Sequence, residues 1–262
     1  MLLIKNGKVL TMGPQGVLEQ ADVLIGDDGK IVKVAAAIEA EAAQVIDASG
    51  RIVMPGIVDA HSHIGGFDTD TGAQDLNELT KPQTPEIQAY DGINPLDRSF
   101  MESAKAGITT SAITPGSGNV ICGLACAVKS AGTSLASRTL RNPIALKAAM
   151  GVNPKGVYGP RTAMPMSRLG VADLFRDYFL KVKDYQAKKA QGQTDPEKMP
   201  KFDQGLGNGL LVLEKKIPLK VHCYQHDMMS LLQLAEEFDF DVTLDHALGS
   251  SDFYDELASS KH

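Results

Sequence analysis

The chain has 262 residues, of which 43% are hydrophobic and 22% charged; this is enough for one large domain with a small satellite and argues against wholesale disorder. A formal charge of -6 without a dense Lys/Arg cluster argues against a nucleic-acid surface, and no apolar run is long enough to cross a bilayer. Three cysteines without a CxxC pair (Cys122, Cys126, Cys223) fit a reducing cytoplasm, and the first seven residues turn polar too soon for a signal peptide.

Residues 1–55 read as a small N-terminal β-sandwich module. Leu2-Leu3-Ile4 and Val9-Leu10-Thr11 flank Asn6-Gly7, a hairpin dipeptide. The apolar runs 21–25 and 31–34 flank Asp27-Asp28-Gly29-Lys30, a second hairpin signal, and Val45-Ile46-Asp47 leads through Ala48-Ser49-Gly50 into Arg51-Ile52-Val53.

Residues 56–262 have a different texture. Pro55-Gly56-Ile57-Val58-Asp59-Ala60-His61-Ser62-His63 is an apolar run ending in two histidines one residue apart. Side chains at i and i+2 of a strand share a face, so the two imidazoles stand side by side where a strand meets a loop. Such a pair is half of a divalent-metal site, although on its own it equally describes two polar residues leaving a strand for solvent. The polar stretch 67–95 has no sustained period and reads as a long loop, a kind that tends to be functional or mobile. Leu96, Phe100 and Ala104 then mark a helix stopped at Ala106-Gly107. Strands follow at 108–113, 125–129 and 144–148, and 151–166 reads as loop.

Val171, Leu174, Phe175, Tyr178, Val182 and Tyr185 recur at three- and four-residue steps and predict an amphipathic helix with a core-packing aromatic stripe. Residues 191–201 read as an exposed excursion and 209–215 as a short helix. Pro218-Leu219-Lys220-Val221-His222 is a strand ending in histidine. A helix over Met228, Leu231, Leu232, Ala235 and Phe238 has Asp227 as its expected N-cap. Asp241-Val242-Thr243-Leu244-Asp245-His246 is again a strand ending in histidine, and a last helix is expected over 252–259.

Strands alternating with helices predict a parallel sheet with helical crossovers. Six strands end near His61, Ile113, Val128, Lys147, His222 and His246. In a (β/α) barrel such ends converge on one face, where catalytic groups gather. Of six histidines in the chain, four (His61, His63, His222 and His246) fall at these ends, a coincidence that random placement does not give. They are the expected metal ligands, with zinc the expected ion. Zinc acidifies water and polarises a carbonyl, the two actions that hydrolysis of an amide or related C–N bond needs, together with a general base. His226, near a helix start, is a candidate substrate contact.

These motifs resemble the amidohydrolase superfamily, especially its imidazolonepropionase-related branch. The similarity runs through Pro55 to His63, Asp91-Gly92-Ile93-Asn94-Pro95, Pro115-Gly116-Ser117-Gly118-Asn119-Val120-Ile121, Asn153-Pro154-Lys155-Gly156-Val157-Tyr158-Gly159 and Ala235-Glu236-Glu237-Phe238. The resemblance implies an α/β (β/α)8 barrel with one or two divalent metals, one of them held by His61 and His63. His222 and His246 are implied to bind metal or contact substrate. Binuclear members bridge their metals with a carboxylated lysine or a glutamate. Lys147 stands at a suitable strand end for this, and also where a lysine would snorkel to the surface. Tyr224 follows His222 by two residues and is expected to line the pocket. Lys155, Tyr158 and Arg161 are expected either to bind an anionic group of the substrate or to cap a loop.

The sequence departs from the family in two further respects. The family's essential aspartate ends strand eight, whereas six strands are countable here, so the barrel is expected to be truncated after about six strands, either as a fragment of a longer protein or as a barrel left open. An open barrel leaves sheet edges exposed, which predicts a homo-oligomer. Relatives also tend to carry glutamate where Val152 stands, and valine cannot coordinate a metal. The expected function is a metal-dependent hydrolase of a small cyclic or dipeptide-like amide. A mononuclear deaminase of a heterocyclic amine and a non-catalytic metal-binding relative are the alternatives. No nucleic-acid or membrane partner is expected.

Overall fold

Strand β1 (Leu2–Leu10) is the spine of the N-terminal unit in this computed structural model, which describes residues 1–68 and 71–262. It pairs antiparallel with β2 (Val17–Ile25), which pairs in turn with β3 (Ile31–Ala35) across the expected Asp27–Lys30 turn. Its other edge takes two short parallel strands, β4 (Gln44–Asp47) and β5 (Ile52–Val53). Asn6-Gly7 does not make a hairpin. Asn6 takes φ 62° inside the continuous strand β1, and the register against β2 slips on both sides of Gly7. A left-handed residue followed by glycine serves a bulge as well as a turn, and the strand continues through it. The chain reverses instead at residues 11–16, between β1 and β2. Leu3, Leu24 and Ile38 form one apolar cluster of this unit, and Val9, Ala21 and Val23 another.

Contacts divide the chain into Met1–Ile57 and Val58–His262. The second unit is α/β, an incomplete (β/α) barrel built on a six-stranded sheet. In spatial order the strands are β11 (Val242–Leu248), β10 (Leu219–Tyr224), β9 (Thr139–Ala149), β8 (Ile121–Lys129), β7 (Ile108–Ile113) and β6 (Ile57–Ser62). β9, β10 and β11 are parallel, as expected for crossover units. β8 is not: it runs antiparallel to both β7 and β9. Only residues 114–120 separate β7 from β8, too few for the crossover that a parallel partner needs.

Among the described residues, seven α-helices accompany the sheet. α1 (Arg98–Lys105) starts at Asp97, whose carboxylate accepts from the Ser99 N–H, and buries Phe100 with Ile113, Cys126 and Val128. α2 (Leu135–Arg138) and α3 (Val152–Tyr158) are short. α4 (Arg168–Thr194) carries the predicted stripe: its Val171, Phe175 and Val182 have no exposed surface, and neither has Phe179, which the stripe did not include. Burial of such a side chain contributes about 1.5–3 kcal/mol. α4 extends through Thr194 into the expected excursion, and the following segment folds back so that Met199 lies against Gly192. α5 (Gln204–Leu213) and α6 (Asp227–Phe238) complete the main core against β8, β9 and β10, and α7 (Tyr254–Ser259) follows β11.

Asp227 is the first residue of α6 rather than its N-cap; His226 takes the cap position and makes no side-chain cap bond. The Asp227 carboxylate is held by Arg168 instead. The long loop over 67–95 is anchored by bridges from Gln83 to Ile121 and from Gln88 to Leu124, while its residues 69 and 70 lie outside the described residues. No described helix is long and apolar enough to cross a membrane.

Candidate metal centre

Strand alternation decides which side chains meet inside the curl of the sheet. Along β10, Lys220, His222 and Tyr224 share one face, while Cys223 packs on the other with the helical core. The β9–β10 register sets Lys147 beside Lys220, and the β10–β11 register sets Asp245 beside His222. Lys147, Lys220, His222 and Asp245 therefore project from three adjacent strands towards one interior.

His246 pairs with Cys223 in that register, so simple alternation would aim it at the helices. It does not go there. The ladder slips at this point, with Tyr224 opposite Leu248, and His246 and Ala247 take φ of 67° and 45°. Such a bulge re-aims a side chain. The His246 ring centroid lies 4.6 Å from that of His222 and 4.9 Å from that of His61. β6 and β11 are opposite edges of the sheet, so the contact of His61 with His246 shows that the sheet curls until its edge strands approach.

The four predicted histidines thus come together: His61 and His63 lie 5.0 Å apart, centroid to centroid, and Tyr224 lies 4.7 Å from His222. The His63 Nδ1–H donates to the Thr114 carbonyl at 2.8 Å, which leaves Nε2 with the free lone pair. Burial lowers the pKa of His63, and it lowers that of His246 as well, each with help from neighbouring cations. Burial, then the Lys147 charge and His246, pull His222 down to about 4. These three rings are therefore neutral at pH 7, the state in which imidazole ligates a metal.

Two groups in this interior, Asp245 and Lys220, were not legible as site residues, whereas Lys147 was. Asp245 is 4% exposed and Lys220 8%, and the two form an ion pair through Oδ1. Asp245 Oδ2 faces Lys147 Nζ at 2.5 Å and His61 Nδ1 at 2.9 Å, the imidazole N–H lying off the line of a hydrogen bond. Burial pushes the Asp245 carboxyl up, but His61 and the two lysines together outweigh it and hold it well below the usual carboxylate range. Burial pulls the Lys147 ammonium below its ordinary value, opposed by the Asp245 charge. With no exposed surface, Lys147 does not snorkel. Lys220 had a signal that was available, since it precedes His222 by two residues on the same face.

Among the described residues no three His, Cys, Asp or Glu side chains already form a cage of ligands. The rings pack edge to face instead. Even so, His222 is 3% exposed and neither of its ring nitrogens has a partner. A buried polar group without a partner is costly, and a cation among these imidazoles would supply the missing interaction. The donor set fits a divalent ion of the zinc type.

Of the other expected substrate contacts, Tyr158 and Arg161 are engaged by protein groups. The Tyr158 hydroxyl is buried against Asn119 Oδ1 at 2.5 Å. Arg161 donates to the Leu79 carbonyl at 2.6 Å and overlies the Tyr158 ring. Tyr158 therefore ties α3 to the segment between β7 and β8, and Arg161 ties the turn after α3 to Leu79. Lys155 lies within α3, and His226 is exposed at the start of α6.

No family model matches the chain. The amidohydrolase tasK of Hapsidospora irregularis is 32% identical over 256 residues, covering 86% of this chain and 26% of that protein. The 5'-deoxyadenosine deaminase of Methanococcoides burtonii is 39% identical over 112 residues, 40% of this chain and 26% of that enzyme. A crystal structure of an amidohydrolase from Thermotoga maritima MSB8 matches with a TM-score of 0.93 at 36% identity, covering 98% of this chain and 67% of that one. The chain thus spans 26% of the length of each of those two curated relatives and 67% of the Thermotoga chain.

Proposed function

This chain belongs to the amidohydrolase superfamily, and from that premise we propose that it holds one or two divalent metal ions, zinc first, and serves hydrolysis of a C–N bond in a small molecule. The bond is proposed to be that of a cyclic amide or a dipeptide-like compound. The observation that carries this reading is the convergence of His61, His63, His222 and His246 from three strands, with both nitrogens of the buried His222 unpartnered.

His61 and His63 would hold the first ion, with His222 and His246 beside them. Lys147, if carboxylated on Nζ, is the candidate bridge to a second. When bound, the ion supplies Lewis acidity and a water acidified towards neutrality. The chain's own groups prepare the site. The neutral imidazoles offer their lone pairs, and the Thr114 carbonyl fixes the tautomer of His63. Asp245 stays ionised with its Oδ2 2.9 Å from His61 Nδ1, so that its charge rather than a hydrogen bond bears on the ring. Its carboxylate is engaged by two lysines and His61, which makes it an anchor rather than a proton acceptor. The resemblance places such an acceptor on an eighth strand, and the described residues of this sheet form six strands.

The similarity to 5'-deoxyadenosine deaminase favours a second version of the same chemistry, a mononuclear deamination. Elemental analysis of the zinc-loaded chain bears on this choice. Two equivalents per chain disfavour the deaminase version, one is compatible with either version, and none refutes the metal assignment. Exposed apolar residues on the edge strands, Val58 on β6 and Leu248 on β11, support a homo-oligomer, which sedimentation would test.

A further inference from the structure

Beside the histidine cluster lies a cavity of about 280 Å³, lined among others by Val152, Arg168, Tyr224, Asp227, Leu248 and Gly249. Tyr224 belongs to both places: it lines the cavity, and its ring packs on His222 and, at 5.8 Å, on His246. A molecule lying across Tyr224 would have one part at the imidazoles and another in the cavity. The charge in the cavity is set by two residues. Asp227 is 1% exposed, and its Oδ1 accepts from Arg168 Nε at 2.6 Å. The Arg168 side chain is 39% exposed, and among the described residues its two Nη atoms have no recorded partner. The guanidinium is therefore held by one edge while the other stays open at the cavity.

We propose that Arg168 is a specificity-determining residue whose free edge binds the carboxylate of a monoanionic substrate. A guanidinium fork matches a carboxylate in a planar, bidentate arrangement, and anchoring through Nε fixes the plane of the fork in advance. Charge selects the monoanion. Arg168 and Asp227 sum to zero and the cavity lining has no other charged residue, so a dianion such as phosphate would meet the buried Asp227 without a second cation to offset it. The inference rests on the C–N hydrolase reading for its view of the ligand as a substrate, and it adds that the substrate is a carboxylic acid.

The test is calorimetric titration of the zinc-loaded full chain with N-acetylalanine, N-acetylalaninamide and inorganic phosphate. The acid is expected to bind about tenfold to a hundredfold tighter than the amide, the range for a charge-assisted bidentate contact. Removal of Arg168 alone would strand the buried Asp227, so the main variant is the double substitution Arg168→Gln with Asp227→Asn, its fold checked by circular dichroism. In it the ratio of acid to amide should fall to about one. Arg168→Lys, a point charge without the fork, should give an intermediate ratio and decides the matter if the double variant does not fold. A ratio near one in the native chain, a ratio unchanged in the variants, phosphate binding as tightly as the acid, or no saturable acid binding up to about 10 mM overturns the proposal. Zinc per chain, measured on the same samples, keeps the two readings apart. A chain without zinc that still discriminates acid from amide retains Arg168's role and loses the hydrolase; a zinc-loaded chain that does not discriminate does the reverse.

Discussion

Lys147 and Asp245, 98 residues apart in sequence, meet as a buried ion pair with Nζ 2.5 Å from Oδ2. Asp245 also takes Lys220, so one carboxylate compensates two lysines in a low-dielectric interior. The two partners are therefore not equivalent. Lys147→Met leaves Asp245 with Lys220 and His61, whereas Asp245→Asn strands two buried ammonium groups.

Urea unfolding of the metal-free chain should rank these variants. Breaking a buried pair by removing one partner costs about 3–5 kcal/mol, and Asp245→Asn should reach that range while Lys147→Met stays below it. Because the Asp245 pKa is depressed in the folded state, its contribution is fully present above the unfolded carboxylate value and is lost as the pH falls through the folded one. The gap between native and Asp245→Asn should accordingly hold steady from about pH 8 to pH 5 and close below about pH 4. A larger loss for Lys147→Met, or a gap that widens in acid, would contradict the assignment of Asp245 as the anchor.

The histidines were legible because the strand period puts His61 and His63 on one face, and because His222 and His246 each close an apolar run. Asp245 was not, for a physical reason. It immediately precedes His246, and in a regular strand two successive side chains face opposite ways. Only the bulge at His246 and Ala247, which the letters do not announce, brings both inward. The direction of β8 was legible in principle, since seven residues cannot carry a crossover, yet the strand composition alone suggested another parallel unit. Arg168 and Asp227 were hidden by a better local explanation: an aspartate at a helix start reads as a cap, and its true partner is 59 residues away.

The metal assignment predicts a stabilisation that depends on the histidines. Zinc at about a hundredfold excess over its dissociation constant should stabilise the native chain by about 2.7 kcal/mol, seen as a rise in Tm. The double substitution His61→Ala with His63→Ala should abolish both the shift and the stoichiometric metal while leaving the helical circular dichroism in place. An equal shift in the variant would place the bound zinc elsewhere.

The cysteines give an independent check on packing. Cys122, Cys126 and Cys223 are all buried, and desolvation pushes each thiol up to about 12. The thiolate is the reactive form, so the folded chain should consume almost no iodoacetamide at pH 8 and three equivalents in denaturant. Rapid labelling of Cys223 in the native chain would mean that β10 does not seal its outer face against the helical core.

Gly151 links the strand that carries Lys147 to the pair formed by Arg168 and Asp227. It takes φ 73° and ψ -137°, a backbone region essentially reserved for glycine, and a Cβ there would come within 2.4 Å of Asp227 Oδ2. Gly151→Ala therefore adds backbone strain of about 1–3 kcal/mol and displaces a buried carboxylate from its partner. Chemical denaturation should show a loss of at least about 2 kcal/mol, and acid binding by Arg168 should weaken with it. Zinc stoichiometry should be retained, because His61, His63, His222 and His246 make no recorded contact with Gly151. If Gly151→Ala were as stable as the native chain and still preferred the acid over the amide, the close approach of Gly151 to Asp227 would have no part in holding Arg168.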